Sequence, residues 1–174
     1  MRLAPASDAL SRAVLAAPSV FLWVGTVACG GQPAAEAELA YHSELQPLIA
    51  DNAKMAKDFQ VLAARIKKES PGAADVGKRL DRQFIPSAQN LADRARAIEP
   101  ATPELTDAHA ILVASWDARV GHYEGVREAW KAQDLDAFQS AVDAGYSART
   151  LEEQYFREVN IALAPAALTL QPYP

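Results

Sequence analysis

Four stretches of this 174-residue chain carry apolar side chains at every third or fourth position, and each stretch ends at a helix stop. That spacing puts the apolar groups on one face of an α-helix. The first stretch covers about 35–69, with Tyr41, Leu45, Leu48, Asn52, Met55, Phe59, Leu62 and Ile66 in one stripe. Ser70-Pro71-Gly72 stops it. The second covers 74–98 along Val76, Leu80, Phe84, Ser87, Leu91, Ala95 and Ile98, and Pro86 in its middle should bend it. The third covers 103–132, with Thr102 as N-cap and Pro103 at the first helical position. Its stripe is Leu105, His109, Leu112, Trp116, Val120, Tyr123, Arg127 and Trp130. Asp134 caps the fourth, 135–163, along Phe138, Val142, Gly145, Arg149, Glu152, Phe156, Val159 and Leu163. No run alternates apolar and polar residues with β-branched enrichment, so no sheet is expected. Four amphipathic helices of similar length joined by short turns predict an all-α, antiparallel up-down four-helix bundle over 36–163.

Prolines at both ends of the helical region qualify this pattern. Ser43-x-x-Gln46 resembles a capping box, so a helix starting at Ser43 would hold Pro47 in its first turn. Ala34 to Ala40 strongly favours helix, which predicts instead a continuous helix kinked at Pro47. Beyond 163, Pro165, Pro172 and Pro174 stand among apolar residues in a tail over 164–174. Leu168, Leu170 and Tyr173 would let that tail lie along the bundle.

Ahead of the helices, Ala13 to Ala28 is apolar apart from Ser19 and Thr26, behind a start carrying Arg2 and Arg12. The run is shorter than the ~20 residues of a spanning helix, and Pro18 interrupts it. Residues 1–28 therefore read as an export signal. The run ends Thr26-Val27-Ala28-Cys29, which resembles the lipobox of bacterial lipoproteins, departing from it at Thr26. The resemblance implies cleavage before Cys29 and a diacylglyceryl group on its sulfur, with fatty acyl chains such as palmitate. Residues 29–35 would then be a short flexible tether, with no cofactor beyond the lipid. Gly30 stands where that family uses Asp for inner-membrane retention, which implies the outer membrane in a two-membrane bacterium. Thr102-Pro-Glu-Leu-x-x-Ala-His109 and Glu128-Ala-Trp130-x-x-x-Asp134 are similar to uncharacterised helical lipoproteins.

Charge and cysteine content narrow the classes further. Cys29 is the lone cysteine, so no disulfide forms within the chain, and a thioether removes a reactive thiol from an oxidising compartment. Removing Arg2, Arg12 and Asp8 from 17 basic and 22 acidic residues leaves 15 and 21, a net charge of −6. No basic cluster of the kind that neutralises phosphates is present, which argues against nucleic acid as a partner. The expected partners are the membrane, through the lipid, and a protein of the envelope.

For chemistry, His42-Ser-Glu44 and His122-Tyr-Glu124 place two groups two positions apart, which on a helix do not face one another. Glu38 and His42 do stack at i, i+4, with His109 one to two turns away in the bundle, forming a weak metal candidate. The plainer expectation is a half-buried His109 and two surface histidines. Counting from the shared end of the helices, Asn52, Ser87, Trp116 and Arg149 fall at one level, with Arg119 and Glu152 within a turn. A buried arginine needs a partner, and Glu152 and Glu153 are at hand for Arg149 and Arg119. This layer reads either as a charge-paired lock on helix register or as a polar pocket for an anion gripped by an arginine fork. Trp116, Tyr123 and Trp130 read as core packing. No nucleophile elbow or glycine-rich phosphate loop points to catalysis. The sequence thus predicts a membrane-tethered, non-catalytic binding or structural module, with a small anionic-ligand or metal carrier as the alternative.

Overall fold

A computed structural model of the chain describes residues 32–69 and 73–172. The expected signal, Cys29, the glycines after it and the Ser70-Pro71-Gly72 stop lie outside the described residues. All regular structure among the described residues is helical, in four long stretches. The first is α1, Gln32–Glu69. The second is α2, Ala73–Arg79, then a π-helical turn, Leu80–Phe84, then α3, Ile85–Arg96. The third and fourth are α4, Pro103–Ala132, and α5, Leu135–Leu163, with a 3-10 turn at Ala164–Ala166. No described helix is long and apolar enough to cross a membrane.

α1 passes through Pro47 without a break, so the helix does not begin at Ser43. The Ser43 hydroxyl donates back to the Leu39 carbonyl at 2.8 Å instead of capping a helix start. Pro47 lacks the N–H that would meet the Ser43 carbonyl, but both residues are exposed, so water can serve that carbonyl. The helix also begins earlier than expected, so 32–35 is helical rather than a loose spacer.

Pro86 acts through the turn before it. The Ile85 N–H bonds the Leu80 carbonyl, five residues back, so this turn holds one residue more than an α-turn. A proline ring crowds the carbonyl four residues earlier, and the widened turn makes room for it. The core face runs through Val76, Leu80 and Phe84 and, past the turn, through Ile85, Ala88, Leu91, Ala92 and Ala95. Ser87, placed on the stripe by regular spacing, is turned to solvent.

The caps of α4 and α5 form as their residue types dictate. The Thr102 hydroxyl accepts from the Leu105 N–H at 3.3 Å, and the Asp134 carboxylate accepts from the Asp136 and Ala137 N–H groups. Gln133, between them, takes the left-handed conformation at φ 53°. Small residues let these two helices approach closely. A Cβ on Gly125 would lie 3.0 Å from that of Ala141, and one on Gly145 would lie 2.9 Å from the His122 ring. The buried face of α5 runs Ala141, Ala148, Tyr155, Phe156, Val159 and Leu163.

The tail folds back onto the bundle. The Asn160 side chain donates to the Leu170 carbonyl at 3.1 Å and accepts from the Leu170 N–H at 2.8 Å. His42 Nε2–H donates to the Thr169 carbonyl at 3.0 Å. Leu170, 2 % exposed, joins the core.

Candidate functional site

Four of the six residues expected at the mid-bundle level lie on the core side. Asn52 on α1 and Trp116 on α4 are buried, and the Arg119 and Glu152 side chains are each 12 % exposed. Glu152, on α5, joins them. One carboxylate oxygen accepts from the Asn52 amide at 2.6 Å, and the other accepts from the Arg119 guanidinium at 2.6 Å. Three helices are thus tied through one carboxylate. The two remaining residues stand apart. Ser87 faces solvent because of the π turn, and Arg149, its side chain 72 % exposed, pairs with Glu153 one turn on. Arg149 is therefore not the buried cation that the apolar spacing suggested. Asn52 Oδ1, Trp116 Nε1 and Arg119 Nε are buried without a hydrogen-bond partner among the described residues.

Beside this layer lies a cleft of about 430 Å³ between α1, α4 and α5. Phe59, Tyr123, Phe138 and Tyr146 line it, with His122, Arg119, Glu152 and Arg149 as its charged or titratable groups. Phe59 meets Phe84, His122 and Tyr123 with ring centroids 4.7 to 5.3 Å apart, which fixes the cleft floor. His122 is half-buried rather than on the surface, and its Nδ1–H donates to the Ala141 carbonyl at 2.6 Å. Burial holds its pKa below the usual imidazole value, against that hydrogen bond, and the Arg119 charge adds to the lowering. Burial raises the Tyr123 phenol, opposed by Arg119.

A second polar cluster sits in the core. His109 Nε2–H donates to the Ala95 carbonyl at 2.9 Å, which leaves Nδ1 to accept from the Tyr41 hydroxyl at 3.1 Å. The Tyr155 hydroxyl completes the chain, 3.5 Å from that of Tyr41. Burial depresses the His109 pKa, and it pushes the Tyr41 phenol up to about 12 and the Tyr155 phenol further. All three groups are neutral at ordinary pH. Tyr155 and Asn160 were not singled out by sequence reasoning. Tyr155 carries a heptad signal, since Ala141, Ala148 and Tyr155 are seven apart, but alanine is too ambiguous a core marker to reveal it.

The metal candidates do not converge. Both His109 nitrogens are engaged, and His42 bonds the tail. Among the described residues no three His, Cys, Asp or Glu side chains are grouped to hold a metal ion. Glu38 lies on the wall of a separate cavity.

Chemically, the layer is neutralised from within. Both Glu152 oxygens are used, one by Asn52 and one by Arg119, so among the described residues the arginine of this layer already has its counter-charge. The cleft alongside offers aromatic faces and, at its rim, the exposed Arg149 with its partner Glu153. No family model matches this chain, and no curated protein or solved structure matches it either.

Proposed function

We propose that this protein is an exported lipoprotein whose antiparallel four-helix bundle serves as a non-catalytic binding or structural module at an envelope membrane. The antiparallel course is supported by the pairing of α4 with α5. The Ser115 hydroxyl donates to the Ala148 carbonyl and Gly125 lies against Ala141, so positions later in one helix meet positions earlier in the other. Within this reading, the Asn52–Glu152–Arg119 bridge locks the register of three helices.

The tether rests on Thr26-Val27-Ala28-Cys29 at the end of an apolar run, and that observation carries the proposal. Replacing the sulfur tests it. Cys29→Ser should abolish labelling by a fatty-acid analogue and move the protein from the membrane to the soluble fraction. Unchanged partitioning and labelling would refute the tether.

The cleft favours a second reading, a carrier of a small anionic ligand with an aromatic body. Arg149 would supply the charge at the rim, and Phe59 and Tyr123 the walls. Arg149→Met separates the two readings, because a purely structural bundle is indifferent to that change.

A further inference from the structure

The geometry points to a binding site for a small aliphatic amine in a cavity at the Glu38 end of the bundle. This cavity, about 600 Å³, lies between α1, the start of α4 and the end of α5. Its charged lining is of one sign: Glu38 from α1, Glu104 and Asp107 from α4, and Glu158 from α5. No lysine or arginine lines it among the described residues. The first-turn amides of α4 ease the charge of Glu104, which sits at a positive helix end. Glu158 has the opposite setting, in the last two turns of α5, where the helix end is negative.

Glu38 is the second and independent observation. It is only 8 % exposed, yet it has no hydrogen-bond or ion-pair partner among the described residues. Buried carboxylates are ordinarily paired, because desolvation penalises an isolated charge. The Glu38 oxygens are not sealed from water, so its carboxylate lines the cavity as the half of an ion pair open to a partner from outside. Four carboxylates lining one cavity, with no cation among its lining residues, also concentrate cations there.

The walls select among cations. Ala108, Ile111, Ile161, Ala162 and Pro165 provide an apolar surface that a hydrated metal ion cannot use and a methylene chain can. Nor do the carboxylates form a metal-type group. A primary ammonium on a short hydrocarbon body satisfies both features, its three N–H donors facing the carboxylates. Such a group occurs both in free diamines and in ethanolamine lipid headgroups, and the site recognises the chemistry they share.

The test titrates the full-length chain in detergent with 1,6-diaminohexane at 0.15 M salt, by calorimetry. Saturable one-site binding is expected, weakened at least tenfold by Glu38→Gln and severalfold by Glu158→Gln. Glu153→Gln, an exposed change outside the cavity, should alter it less than twofold. Two further titrations, with 1,6-hexanediol and with Mg²⁺, should show no saturable binding. Vesicles headed by ethanolamine, compared with choline-headed ones, identify the source: Glu38-dependent capture assigns the lipid, and its absence beside diamine binding assigns the free amine. The proposal is overturned if the diol binds as tightly as the diamine, if Mg²⁺ binds more tightly with the same Glu38 dependence, or if Glu38→Gln binds the diamine like the wild type.

Discussion

Glu152 shows how one side chain can decide between two readings of the same polar residues. It is held by Asn52 and Arg119 at once, so its removal leaves a guanidinium in the core without a counter-charge. Glu152→Ala should cost about 3 kcal/mol of stability by chemical denaturation. Replacing both members, as Arg119→Met with Glu152→Met, should cost less than the single change, because no charge is then stranded. Arg149→Met should stay within about 0.5 kcal/mol of the wild type, since its pair with Glu153 is exposed and screened. The sequence made Arg149 and Arg119 equivalent candidates, both beside apolar positions and both near acids. They differ because the true buried line of α5 passes through Ala141 and Ala148, one residue short of Val142 and Arg149.

At the level of elements, the parts read well from sequence are those fixed by local chemistry. Thr102 and Asp134 cap their helices because their side-chain oxygens reach free N–H groups nearby, whatever the rest of the chain does. The α1 stripe held because Tyr41, Leu45, Leu48, Asn52 and Met55 follow an unbroken helix. Spacing failed where the helix changed its period. At the π turn before Pro86 the core face shifts, so Ser87 gives way to Ala88, while Leu91 and Ala95 further along stay in the core. The tail was legible only as apolar, because its anchor, Asn160, is a polar residue whose role exists only once Leu170 lies beside it. Asn160→Ala should remove both bonds to Leu170 and cost about 1–2 kcal/mol. Hydrogen exchange across 168–172 should then approach the rate of free peptide, while α4 keeps its protection.

For the whole molecule, stability should fall at both ends of the pH scale. His109 is buried and His122 half-buried, and both have folded pKa values below the ordinary 6.5. The unfolded chain therefore takes up protons first, and stability, full above about pH 6.5, declines as pH drops through that value toward the folded pKa. His109→Gln should flatten part of that decline in denaturation midpoints between pH 5 and 8. Tyr41 acts in the opposite sense. Its folded pKa of about 12 against an ordinary 10 means that stability declines as pH rises above 10. The contact of His42 with Thr169, beside the Asn160 clamp on Leu170, has a mechanical consequence as well. A pull applied at the start of α1 is handed across to the end of α5 within three turns of Gln32. Load there falls also on the His42–Thr169 contact and the two Asn160–Leu170 bonds, so weakening that clamp should leave the start of α1 easier to peel away.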